Sequence, residues 1–148
     1  MLTFKEYIVE LFDKVHPFVQ TKKVTYDTGV SIHQYTIHHP DGKKYKVHIE
    51  HDARNGGSTV GFQDENGRSD ITGASKGKAS GVIGSVKAVI AHHIRTNPTV
   101  KSVSWAGNEE GGRKKAYTAI AARHGGWSAD MGAAGSFHGV DVDKIRAA

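Results

Sequence analysis

Tyr117 lies in the run RKKAYTAIAAR, four residues after Arg113. A phenol held close to a leaving group can act as a general acid. The same ring, one helical turn from an arginine, also suits a core-edge position where the guanidinium meets its oxygen or face. The run KGKASGVIG, residues 76–84, is the second candidate, with Lys76, Gly77, Lys78, Ser80, Gly81 and Gly84 just ahead of or inside an apolar helical pattern. Backbone N–H groups at a helix start, unencumbered by side chains and aided by the helix dipole, can wrap an anion such as pyrophosphate. A surface loop ending at a helix cap has the same composition, and both readings stand.

The chain holds ten histidines and no cysteine, so thiolate ligands, thiol nucleophiles and disulfides are excluded. His33 and His51 become diagonal neighbours if their strands pair as argued below. No third ligand joins them at zincin or deaminase spacing, so a metal site is not expected. His48 and Glu50 fall on the opposite strand face, where they are either bases facing an amine or ordinary solvated side chains. There is no GxSxG elbow and no GxGxxG fingerprint, which argues against a serine hydrolase and against a dinucleotide-binding fold.

These residues need a scaffold. With 148 residues, a single domain over residues 1–148 is expected. Phe4, Tyr7, Ile8, Leu11, Phe12 and Val15 recur at helical steps, with Thr3 as N-cap and Pro17 as stop. VTYDTGVSIHQYTIHH and KKYKVHIEHD alternate apolar and polar residues around Pro40, Asp41 and Gly42, which predicts an antiparallel hairpin or meander. Setting His39 opposite Lys43 brings Ile37 to Tyr45, Tyr35 to Val47 and His33 to Ile49, so the apolar side chains share one face. A one-residue slip would set Ile37 against Lys46 and put charge into the buried layer.

STVGFQD extends the sheet, and the glycine-, serine- and lysine-rich stretch after it leads into a helix marked by Val82, Ile83, Val86, Val89, Ile90 and Ile94. VKSVSWA reads as a buried strand and residues 113–124 as a third helix. The glycine-rich tail, residues 125–148, packs on the domain or is partly flexible, with one short strand expected at residues 140–142. The fold class is therefore α/β of the α+β kind: an N-terminal helix, a central, mostly antiparallel sheet, then helix, strand and helix.

That order, with the loop before the second helix and Tyr117 on the third, resembles the GNAT acetyltransferase superfamily. In its phosphate-loop pattern Lys78 takes the place of Arg or Gln, Gly81 matches the glycine, and Ile83 takes the place of the last small residue. Glu110 stands seven residues before Tyr117, where an asparagine is usual. The chain is also similar to small phage-encoded proteins in which an arginine precedes a tyrosine by four residues. The resemblance implies acetyl-CoA as cofactor, held by Lys76, Gly77, Lys78, Ser80, Gly81 and Gly84. It also implies an amine acceptor and Tyr117 as the acid that protonates the departing thiolate. A parting of the central strands would favour this enzyme. Bulky side chains filling a closed sheet would favour a non-catalytic phage protein that binds a host or virion component.

The formal net charge of +5 favours anionic partners, nucleic acid included, although the basic residues form small groups with no aromatic ladder. The first twenty residues mix acids and lysines into the apolar pattern, so no signal peptide or membrane span is expected. A cytoplasmic location follows as the expectation, that of the host cell if the protein is phage-encoded.

Overall fold

The computed structural model describes residues 15–39, 42–63, 82–107, 113–130 and 136–148, with the backbone alone at residues 82–83, 107, 113–116 and 130. The proposed N-terminal helix, its Thr3 cap and the loop residues Lys76, Gly77, Lys78, Ser80 and Gly81 lie outside the described residues.

Four antiparallel strands open the described chain: β1 (Phe18–Thr25), β2 (Val30–His38), β3 (Lys44–Asp52) and β4 (Gly57–Gln63). The β2–β3 register is the one alternation requires, with Ile37 opposite Tyr45, Tyr35 opposite Val47 and His33 opposite Ile49. His39 N–H donates to the Lys43 carbonyl at 3.0 Å, closing the connection. Tyr35, Ile37, Tyr45, Val47, Ile49, Val60 and Phe62 consequently share one buried face. β1 carries an irregularity between Gln20 and Lys22, and most of its residues are exposed, as suits an edge strand.

Helix α1 (Val82–Thr96) covers that face with Val86, Val89, Ile90 and Ile94, all fully buried. Burying each such side chain contributes roughly 1.5–3 kcal/mol. Its last turn is closed by side chains: Thr96 Oγ1 donates to the His92 carbonyl and Asn97 Nδ2 to that of His93, both at 2.8 Å. Pro98 follows, where a helix cannot easily continue. The chain then enters β5 (Ser102–Gly107), which pairs parallel with β4.

Helix α2 (Arg113–Arg123) follows and returns the chain to the sheet. It ends in two reverse bonds, Gly126 N–H to the Ala121 carbonyl at 2.8 Å and Gly125 N–H to the Ala122 carbonyl at 3.0 Å, the pattern of a Schellman cap.

The tail requires a correction. Residues 140–142 form no strand; two strands, β6 (Trp127–Asp130) and β7 (Ser136–Gly139), precede them, and Val142 begins helix α3 (Val142–Ala147). Asp141 caps that helix by accepting the Lys144 N–H at 3.0 Å, so the aspartate stops the extended chain. β7 lies between β5 and β6 and is antiparallel to both, giving one seven-stranded sheet of order β1-β2-β3-β4-β5-β7-β6. The described residues thus form an α+β fold with a mostly antiparallel sheet and three helices. Among them, no helix is long and apolar enough to cross a membrane.

Candidate functional site

The parallel contact between β4 and β5 is short. Gly57 pairs with Ser102, Ser58 with Val103 and Thr59 with Ser104, and there the ladder ends. Beyond it β4 stays paired to β3 as far as Gln63, and β5 to β7 as far as Gly107. Each strand therefore keeps its outer neighbour and loses its inner one, so main-chain groups of the two facing edges are not bonded across the gap.

The two sides of this parting differ. On the helix side, Val60, Phe62, Val103 and Trp105 are buried. The Tyr117 ring stacks on Phe62 with centroids 5.3 Å apart, Trp105 meets Phe62 edge-on at 6.2 Å, and His138 stacks on Trp105 at 5.9 Å. Tyr117 also meets His138 edge-on at 5.9 Å. Trp105 Nε1 is buried with no hydrogen-bond partner among the described residues, a state that costs about 1–3 kcal/mol when nothing satisfies the group. On the other side, alternation leaves Thr59, Gly61 and Ala106 exposed. A Cβ built on Gly61 would meet nothing closer than the His48 carbonyl oxygen at 3.9 Å, so the surface there is low and open.

His48 is the register partner of Gly61 and shares a 3.2 Å hydrogen bond with Gln63 Oε1 through Nε2. An imidazole of β3 on the open face and the Tyr117 ring on the helix face thus lie on opposite sides of the sheet near the gap. Glu50, also on the open face, pairs with Thr59 in register and is exposed.

Of the anticipated anion-binding residues, only Gly84 is described; it is buried on the first turn of α1. Tyr117 is 3% exposed and belongs to the core. The expected pairing of Arg113 with Tyr117 falls on an undescribed side chain.

Phe62, Trp105 and His138 were not anticipated. His138 is fully buried, with Nδ1 2.7 Å from Ser128 Oγ and Nε2 2.8 Å from Ser136 Oγ. Its signature is Ser136 two residues earlier, on the same strand face, which Ser31 and His33 repeat on β2 at 2.9 Å. A serine two residues before a histidine was the available signal, since alternation puts both into one buried layer with a bond between them.

His33 and His51 do approach each other, both against His93 of α1, with ring centroids 5.0 and 6.0 Å from it. Their nitrogens are engaged: His33 with Ser31 and Gln20, His51 with Ser58 and Thr99. His93 reaches Ser58 Oγ at 3.3 Å and the Tyr35 hydroxyl at 3.5 Å. Burial, reinforced by the neighbouring His33, His51 and His92, pushes the His93 pKa down to about 3. Among the described residues, no three metal-ligating side chains are grouped to hold an ion. The cluster is a hydrogen-bonded layer that ties α1 to the sheet.

Comparison with protein-family models, curated proteins and solved structures gives no match for this chain.

Proposed function

We propose that the protein is a divergent, GNAT-like N-acyltransferase that uses acetyl-CoA, with the acyl thioester arm lying between β4 and β5. The early end of the β4–β5 ladder carries this reading. An extended amide-containing arm could bond to the main-chain groups left unpaired across the gap, much as an added strand would. The buried Trp105 Nε1–H, on β5 beside the gap, is a further donor. The loop ahead of Gly84, with Lys76, Gly77, Lys78, Ser80 and Gly81, would take the cofactor diphosphate.

In this scheme an amine approaches on the open side, over Gly61 and Ala106, and its nitrogen attacks the thioester carbonyl carbon. His48 accepts the proton lost by the amine. The carbon–sulfur bond breaks, and the leaving thiolate takes the proton of the Tyr117 phenol from the helix side. Placing acid and base on opposite sides of the gap keeps them from neutralising each other.

Calorimetric titration with acetyl-CoA tests the proposal, run on the wild type and on Gly61→Trp. The expected result is saturable binding to the wild type and at least tenfold weaker binding to the variant, whose indole would close the gap. Absence of saturable binding at millimolar ligand would sink the proposal. It would favour the second reading, a non-catalytic binding protein, which the packing of Phe62, Trp105 and Tyr117 beneath the gap supports.

A further inference from the structure

A cleft of about 320 Å³ lies between α1, the end of α2 and α3, with Lys87, Arg95, Arg123, His124 and Lys144 on its walls. It shares no lining residue with the parting of β4 and β5, and it meets the segment proposed for the cofactor diphosphate only at Gly84. Among its described lining residues there is no aspartate or glutamate. Lys87 and Arg95 of α1 and Lys144 of α3 therefore line one recess, with Arg123 beside them at the end of α2.

The recess has a sequence cause. Gly84, Ala88 and Ala91 recur at helical steps along α1 and form its floor, while Lys87 and Arg95 rise from the same helix. Just outside the cleft, after α2, Gly125 has a φ of +65°, and a Cβ there would lie 2.5 Å from Lys144 Cδ. The bare glycine lets the Lys144 stem lie across the end of α2, at the edge of the cleft. Arg95 reaches the Ile145 carbonyl through Nη2 at 3.5 Å, which tethers its guanidinium beside α3.

His124 forms part of the cleft wall. It is 6% exposed, and its Nε2 lies 3.2 Å from the Lys87 carbonyl oxygen. Burial holds its pKa down, to about 4; the bond to the Lys87 carbonyl opposes the shift, and the Lys87 and Arg95 charges add to it.

We propose that this cleft binds a small diphosphate-bearing molecule. Several converging cations suit a compact multiply charged anion, and an arginine can grip phosphate oxygens in pairs. The volume lies at the lower end of small-ligand pockets. A nucleic acid fits less well, because none of the described lining residues is a phenylalanine, tyrosine or tryptophan on which bases could stack.

The test is titration calorimetry with inorganic pyrophosphate at low salt, on the wild type, Lys144→Glu and Lys87→Glu, beside a single-stranded oligonucleotide. The proposal expects a dissociation constant below about 1 mM for pyrophosphate, weakened about tenfold or more by either variant, which is ~1.4 kcal/mol. The Trp105 emission change during acetyl-CoA titration of Trp127→Phe should keep its midpoint when Lys144→Glu is added, so the cleft and the proposed acyl site fail separately. Thermal melting checks that each variant is folded. Lys87 and Lys144 stand on different helices, so loss of folding in one leaves the other as the test. Pyrophosphate binding unaffected in a folded variant, no binding by the wild type, or binding of the oligonucleotide alone would each overturn the proposal.

Discussion

The ring of Phe62, on β4, lies over that of Tyr117, on α2, with centroids 5.3 Å apart and planes inclined by 22°. The contact joins the strand on one side of the gap to the helix that follows the strand on the other. Packing and the proposed acid role make different demands on Tyr117. Tyr117→Phe keeps the ring and should change unfolding free energy by about 1 kcal/mol or less. Tyr117→Ala should cost about 3–5 kcal/mol. If the phenol is the proton donor, Tyr117→Phe lowers acetyl-CoA turnover by about 10²-fold or more while melting like the wild type. Equal turnover in the two proteins would leave the residue a packing element.

Trp105 gives an optical test of the same gap. The chain has two tryptophans; Trp127 is 53% exposed and Trp105 only 1%. In Trp127→Phe, emission therefore comes from the buried ring alone. Acetyl-CoA entering between β4 and β5 would give the orphaned indole N–H an acceptor, so the emission should shift during titration with the same midpoint that calorimetry reports. A flat signal across a calorimetrically saturating titration would place the ligand away from Trp105.

The legible parts of the sequence are those where one periodicity had one cheap solution. The β2–β3 register follows because a one-residue slip puts a lysine opposite Ile37, and the α1 face follows from Val86, Val89, Ile90 and Ile94. The tail was misread for a local reason. Val140 and Val142 look like strand residues, but Asp141 between them caps a helix, and its side-chain bond to the Lys144 N–H outweighs β-propensity over three residues. β7 escaped notice because it has four residues, and its pairing with β5 joins segments about thirty positions apart. Tyr117 was visible as a residue type, whereas its partners Phe62 and His138 come from strands that only the tertiary fold brings beneath α2.

Two glycines should respond oppositely to alanine. A Cβ at Gly126 would sit 1.8 Å from the Gly139 carbonyl oxygen, which is backbone and already held within the β5–β7–β6 sheet. Gly126→Ala should destabilise the fold by about 3 kcal/mol or more, since the sheet must shift to admit a methyl group. At Gly61 the nearest atom would be 3.9 Å away. Gly61→Ala should be neutral or stabilise by roughly 0.5 kcal/mol, because alanine loses less chain entropy in a strand. Chemical denaturation midpoints decide both, and similar midpoints for the two variants would mean that β6 does not close against β7 as described.

Acid should unfold the protein through its histidines before its carboxylates matter. Burial holds His93 at about 3 and His124 at about 4, and it lowers His33 too, against about 6.5 in an unfolded chain. The unfolded state therefore binds more protons as soon as pH drops below about 6.5. The stability these neutral histidines contribute is complete above that value and is lost as pH falls toward their folded pKa values. Each contributes a slope of up to about 1.4 kcal/mol per pH unit. Asp52, held near 2 by its bonds from Arg54, acts in a lower window: its contribution is lost only as pH falls below about 3.8. Urea midpoints should accordingly decline steadily between pH 6.5 and 4.5, with proton uptake accompanying unfolding, and His124→Gln should make the decline shallower. Midpoints that stay level across that interval would mean that the histidine layer is already open to water in the native state.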